Sequence, residues 1–521
     1  MGNIRVLDCT LRDGGYINKA NFGEKNIRAL IKYLNEANIE VIECGYMYDN
    51  LDYDKNKSDF QNVGQVDPFL IDGSDYTVML SGMKYKIDEL PPQEGRVSSI
   101  RVAFKKSDLD KIEKFAEEIN KKGYKLFLQP QVIMEYTDEE IIDMLKRFNK
   151  LDVECVSIVD TFGQMTLQDV EEKTKLFDKY LRKDINIGLH LHNNLQTAFS
   201  NAMMFLDTVE EDRNVVIDSS ILGMGRGAGN LPTELIVAYL NNNYNKSYKI
   251  EPLLEAADSI ISKIKEEHYW GYSLPYCLSA MYGVHPSYIL LFLERKTLNS
   301  NDIKNLINMI PNEKKSIVDK EFAKELYRTY NDRKIDDTES RKKLKGLLKD
   351  KKIVLVGPGK STLEYKEQIE EELSKDDTFS IAVNGNDLFY TDATFYSNKK
   401  RHGENCKKDN LTLLTSNIKT TPEEDELLFD YNKYLSKEKE LSDNALLIIL
   451  NILKDLEVKD IELVGFDGFS TNLHDNYYSY DKTTVLTEEH VKKTNEIITA
   501  SIEEYSKGMK IKSLTPTRYI K

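Results

Sequence analysis

INIGLHLHNN, residues 185–194, decides the fold. Ile185 to Leu189 is an apolar, strand-like run. In a strand alternate side chains share a face, so His190 and His192 point the same way. A strand of a parallel barrel normally fills its inward positions with Val, Ile or Leu. Two inward histidines at its carboxyl end therefore indicate either a divalent-metal site or a hydrogen-bonded structural pair.

Outward from this segment, residues 4–240 alternate short apolar runs with amphipathic stretches, the pattern of a parallel α/β fold. The spacing predicts strands at Ile4–Leu11, Val41–Met47, Thr77–Gly82, Ser99–Phe104, Lys125–Gln131, Glu154–Asp160, Asn186–His192 and Val215–Leu222. Helical patterns fall between them at Glu24–Ala37, Asp108–Lys122 and Asp138–Lys150, the last opening on a Thr137-x-x-Glu140 capping box. Eight strand–helix units within one domain length indicate a (β/α)₈ TIM barrel, with an open doubly wound sheet as the alternative.

Three domains are expected: the barrel over residues 1–240, a helical extension and connector over 241–350, and a Rossmann-like α/β domain over 351–521. Pro232 suits a first helical turn, and the aromatic stretch His268–Tyr276 reads as packed on the barrel. Residues 311–352 are rich in charge and read as a solvated connector. The third region opens on Ile353–Gly359, a buried strand running into a glycine-rich turn. Further strands are expected at Ser380–Asn386, Ala393–Ser397, Thr412–Ser416 and Ile461–Gly465, with helices at Leu363–Ser374 and Asn444–Leu456.

A net charge of −15 disfavours nucleic acid and anionic membranes as partners. No stretch approaches the roughly 18 apolar residues of a membrane span. The cysteines Cys9, Cys44, Cys155, Cys277 and Cys406 lack CxxC spacing and read as reduced thiols of a cytoplasmic protein.

Polar residues that a core would not choose gather at the carboxyl ends of the barrel strands: Asp8–Gly15, Glu43–Gly45, Asp160–Gly163 and His190–Asn193. The loop Gly223–Asn230 joins them. Asp13 adds a hard oxygen donor to two imidazoles, leaving open coordination positions, as a catalytic metal requires. Mixed nitrogen and oxygen donors suit Mn²⁺, the first expectation, and also Mg²⁺, Co²⁺ or Zn²⁺.

These motifs resemble the DRE-TIM metallolyase family and, within it, class II pyruvate aldolases of the 4-hydroxy-2-oxovalerate aldolase type. Leu11-Arg12-Asp13-Gly14, Gly188–Asn194 and Gly223–Asn230 carry the resemblance, which covers about residues 4–300. It implies metal ligation by Asp13, His190 and His192, with Asn230 nearby or ligating, and enolate stabilisation by Arg12. It also implies a metal-dependent aldolase that joins or separates a pyruvate-type 2-oxo acid and an aldehyde; a homo-oligomer is expected.

Glu43 is a further catalytic candidate, and Asp160, Thr161, Gly225 and Arg226 are substrate-binding candidates; Glu43 and Asp160 also admit a purely structural reading. Where the aldolase branch carries an acid/base histidine this chain has Tyr16, and where that branch has a tyrosine it has His285. Tyr16 and His285 are therefore expected to share proton transfer, unless His285 only packs beside Pro286. Alternatives are an acyl-CoA-dependent condensing enzyme or lyase of the same family, and a nucleotide-sugar transferase or binding module with an auxiliary barrel.

In the third region, Gly357-Pro358-Gly359-Lys360-Ser361-Thr362 is neither a Walker A loop, because Val354 stands at its first glycine position, nor GxGxxG, because Thr362 stands at its last. Its amides could hold a phosphate. The region loosely resembles sialyltransferase-like nucleotide-sugar-binding domains, implying a nucleotide or nucleotide-sugar there. A non-catalytic docking module is the other reading.

Overall fold

A computed structural model describes residues 2–80, 85–293, 298–404, 410–438, 441–479 and 488–520. Ser81, Gly82 and Cys406 lie outside the described residues. The chain forms two compact units, one comprising residues 1–290 and 311–318, the other residues 291–310 and 319–521. The helical stretch 241–350 is thus divided between them.

The first unit is a closed parallel barrel. Its strands are β1 (Ile4–Asp8), β2 (Val41–Met47), β4 (Asp75–Leu80), β5 (Val97–Phe104), β6 (Lys125–Pro130), β7 (Cys155–Asp160), β8 (Asn186–Leu191) and β9 (Val215–Ser219), while β3 (Asp59–Phe60) is a two-residue addition on β2. β1 pairs in parallel with both β9 and β2, which closes the ring. The helices lie outside because each buries one apolar stripe. In Glu24–Glu36, for example, Ile27, Leu30, Ile31 and Leu34 are buried at helical spacing. The Thr137–Glu140 capping box is present at the start of Asp138–Phe148.

Two cores result. A large one joins the outward strand faces to the helices. A small one, Leu7, Cys9, Val41, Phe127, Cys155 and Val216, plugs the barrel interior. The interior is crowded enough that a Cβ on Gly188 would sit 2.1 Å from Ser157 Oγ, so the strand that delivers the histidines needs a glycine there. Trp270 is buried and donates from its indole nitrogen to Leu222 O at 3.1 Å, fixing the aromatic stretch to the loop after β9.

The second unit is a parallel sheet ordered β14-β13-β12-β11-β10-β15-β16. Its strands are β10 (Lys352–Val356), β11 (Thr378–Val383), β12 (Ala393–Tyr396), β13 (Leu411–Thr415), β14 (Glu426–Phe429), β15 (Asp460–Val464) and β16 (Lys510–Ser513). The expected strands are present. The two that sequence reading missed, β14 and β16, are its edges: each is four residues long, and Lys-Ile-Lys-Ser in particular carries the charges that blunt an edge. Among the described residues no helix is long and apolar enough to cross a membrane.

Candidate active site

The loop after β1 and the end of β8 meet inside the barrel mouth. Asp13, His190 and His192 are all buried, and each offers a ligand atom such that all lie within 4.8 Å of one another. Asp13 Oδ1 accepts from Arg12 at 2.6 Å, and Oδ2 accepts from Asn230 Nδ2 at 2.7 Å. His190 Nδ1 bonds Asp218 Oδ2 at 2.9 Å, which leaves Nε2 for a ligand. His192 Nδ1 and Asn230 Oδ1 are buried without a protein partner.

These protonation states suit a metal. Burial alone would raise the Asp13 carboxyl, but Arg12, His192 and His190 outweigh it and hold it well below the usual carboxylate range. Burial pushes His192 down to about 4, so it stands as a neutral imidazole with an available lone pair. One carboxylate, two imidazoles and two unpartnered buried atoms fit a divalent cation.

Beneath them runs a ladder of buried charge. Glu43 Oε2 accepts from Arg12 Nε at 2.7 Å and from Arg101 Nη1 at 2.9 Å. Arg101 also pairs with Asp218, which holds His190. Burial raises the Asp218 carboxyl, yet Arg101 and His190 dominate and keep it below its ordinary value. Every member is buried, so each charge depends on its neighbours for solvation.

Residues 97–260 match the HMGL-like family. The 4-hydroxy-2-oxovalerate aldolase of Geobacillus genomosp. 3 is 26% identical over 275 residues, spanning 50% of this chain and 78% of that protein. The protein of the same name from Thermomicrobium roseum is 27% identical over 317 residues, spanning 56% and 86%. The solved N-terminal domain of a candidate aldolase from Bacteroides vulgatus aligns with a TM-score of 0.51 and 27% identity, covering 58% of this chain and 99% of that one. The HMGL-like match falls within the barrel, from β5 onward.

The barrel mouth holds a cavity of about 70 Å³, lined by Arg12, Asp13, Tyr16, Thr161, His190, His192 and Arg226 among others. Tyr16 stands at the rim, and its hydroxyl meets that of Tyr46 at 2.7 Å; Arg12 lies over the Tyr46 ring at 5.7 Å. His285 does not line this cavity. Its ring is edge-on to Phe162 at 5.8 Å, and it bonds Arg226. Thr161 accepts from the Val132 amide at 2.7 Å.

Asp160 turns away from the cavity to accept from the amides of Gln164 and Met165, shaping the loop after β7. Burial pushes its carboxyl up to about 7. Gly225 is a matter of space: a Cβ there would stand 2.3 Å from Asn230 Nδ2 and 2.8 Å from Asp13 Oδ2.

Arg101, Asp218 and Tyr46 escaped the sequence reading. A legible signal existed for the first two: a charge inside an apolar strand, at the inward alternation, has to be paired within the barrel.

Proposed function

We propose that this chain is a divalent-metal-dependent carbon–carbon lyase of the aldolase type. It makes or breaks the bond between the enolate of a pyruvate-type 2-oxo acid and an aldehyde. The observation that carries this reading is the convergence of Asp13, His190 and His192 within 4.8 Å, with Arg12 bonded to Asp13. The relatives named aldolases support the same chemistry. Asp13, His190 and His192 would hold the cation, with Asn230 Oδ1 as a further oxygen. When bound, a divalent ion supplies Lewis acidity toward the oxygens of a 2-oxo acid.

The chain's own groups do the rest. Glu43 and Asp13 hold Arg12 by Nε and Nη1, so its guanidinium is fixed before substrate arrives, and it donates to the oxygen on which enolate charge develops. In cleavage, the C4 hydroxyl of a 4-hydroxy-2-oxo acid loses its proton and becomes the aldehyde carbonyl. The C3–C4 electron pair passes into the enolate, and C3 then takes up a proton. The Tyr16 and Tyr46 hydroxyl pair relays this proton in one movement: one phenol oxygen accepts the proton leaving the C4 hydroxyl as the other hydroxyl gives its own to C3, so no net proton stays on the pair, and burial, which pushes Tyr46 far above its ordinary value, keeps it from ending as a phenolate.

Incubation of the full chain with pyruvate and a panel of aldehydes tests this. Carbon–carbon bond formation is expected, abolished by EDTA and restored by Mn²⁺. Undiminished turnover in the chelated, dialysed protein, or none with any aldehyde, contradicts it.

A further inference from the structure

The buried arginines of the barrel are matched by carboxylates: Arg12 by Asp13 and Glu43, Arg101 by Glu43 and Asp218, Arg213 by Asp178. Arg226 is different. It comes from the loop after β9 and lines the same cavity as Arg12, Asp13, His190 and His192. Among the described residues, no carboxylate lies within ion-pair distance of its guanidinium. Its side-chain partner is His285, whose Nε2 accepts from Nη2 at 2.7 Å.

That partner cannot neutralise it. His285 faces donors on both sides, the Arg226 guanidinium and the Ser287 amide, which lies 3.2 Å from Nδ1. Protonation would set an N–H against a donor on both sides, whereas the neutral ring keeps one nitrogen as acceptor for Arg226, so the ring is neutral, and burial with the nearby charges of Arg226 and Lys105 acts in the same direction. The ring is also clamped: Phe162 packs edge-on against it, and the His285 amide donates to Lys315 O at 2.8 Å. His285 thus aims a cation without discharging it.

The charges of the site show what is missing. Among the groups of the ladder and the cavity wall, Asp13, Glu43 and Asp218 against Arg12 and Arg101 leave one formal negative charge, Asp160 being turned into the amides of its own loop. A divalent ion turns this to one positive, which the carboxylate of a 2-oxo acid cancels. Arg226 remains, half-buried on the wall of this small cavity, as a charge with no counter-ion among the described residues.

We infer that Arg226, positioned by His285, receives a second anionic group of the substrate, so that the aldehyde carries a carboxylate or a phosphate. This rests on the aldolase reading above and deepens it. A bidentate guanidinium suits either oxyanion.

Binding and turnover separate the two levels. The Mn²⁺-loaded full chain is titrated calorimetrically with 2-oxoglutarate and with 2-oxopentanoate, which lacks the distal carboxylate. Wild type is expected to bind the diacid about tenfold more tightly, and Arg226→Met to bring the two within about twofold, with Arg226→Lys between. His285→Ala should erode the preference, and His285→Gln, whose side-chain oxygen can accept from Arg226, should restore it.

In turnover with pyruvate, succinic semialdehyde or glyceraldehyde 3-phosphate should exceed butanal in kcat/KM, and the better of the two identifies the oxyanion. His285→Ala should raise KM for the charged aldehyde more than it lowers kcat. Equal wild-type binding of the diacid and the monoacid overturns the inference while leaving the aldolase reading intact. Discrimination in binding with no turnover of any aldehyde overturns that reading instead.

Discussion

The two parallel sheets of this chain end in opposite ways. At the carboxyl ends of the barrel strands, side chains converge with bonding capacity left over: among the described residues His192 Nδ1 and Asn230 Oδ1 have no partner, and Arg226 has no counter-charge. At the corresponding end of the second sheet the glycine-rich turn after β10 satisfies itself, although Asn384 Oδ1 nearby is buried without a partner among the described residues. Strand order reverses around β10, the place where open α/β sheets take ligands, and a cavity of about 180 Å³ opens there between Gly359, Asn384 and Asp467.

Yet the Ser361 amide, the group expected to cradle a phosphate after β10, donates to Asp467 Oδ2 at 2.8 Å, and the Ser361 hydroxyl also bonds that carboxylate. A self-satisfied turn repels an anion and stabilises the fold. An unsatisfied mouth does chemistry.

The largest expected effect lies in the charge ladder. Arg101→Met strands Glu43 and Asp218 without their shared cation, and removing one partner of a buried pair costs about 3–5 kcal/mol. Chemical denaturation should show the first unit unfolding far earlier; an unchanged midpoint would mean the ladder is ornamental.

Next, Arg12→Ala should lower kcat by about 10² to 10³, the usual loss for one stabiliser of developing negative charge. Asp467→Ala marks the contrast: loss of its bonds to Ser361 should destabilise the second unit by about 1–3 kcal/mol while barrel turnover stays as in wild type. A fall in turnover would show that the second turn is not merely structural.

The smallest effect is a pH dependence. His285 is lowered from 6.5 to about 3, chiefly by burial, so the folded state binds its proton less readily than the unfolded state. Its stabilising contribution is complete above pH 6.5 and is lost as pH falls toward 3. His285→Gln should therefore lose less stability than wild type between pH 6.5 and 4. Parallel acid curves for the two proteins would remove the claim that His285 is neutral.

The barrel strands were legible because each is a compact apolar run bounded by polar residues, and the alternation in β8 placed His190 and His192 on one face. Asp13 was legible from its motif at the end of β1. The edge strands β14 and β16 were not: Glu-Leu-Leu-Phe is too short a run to announce a strand, Lys-Ile-Lys-Ser is half polar as well, and each pairs because a neighbour offers a free edge.

The ladder was harder to read for another reason. Arg101 and Asp218 are single charges 117 residues apart, and only barrel closure makes them neighbours. The contact between Arg226 and His285 likewise spans 59 residues. On the proposed reading His285 aims Arg226 rather than carrying a proton.

The central claim is that one carboxylate and two imidazoles grip a divalent cation. Calorimetric titration of the dialysed full chain with Mn²⁺ tests it most directly, alongside Asp13→Ala and His192→Ala. The account predicts saturation at a single ion per wild-type chain and loss of that binding in both variants, each still cooperatively folded. A wild type that takes up no ion, or a His192→Ala chain that binds Mn²⁺ with undiminished affinity, would contradict it.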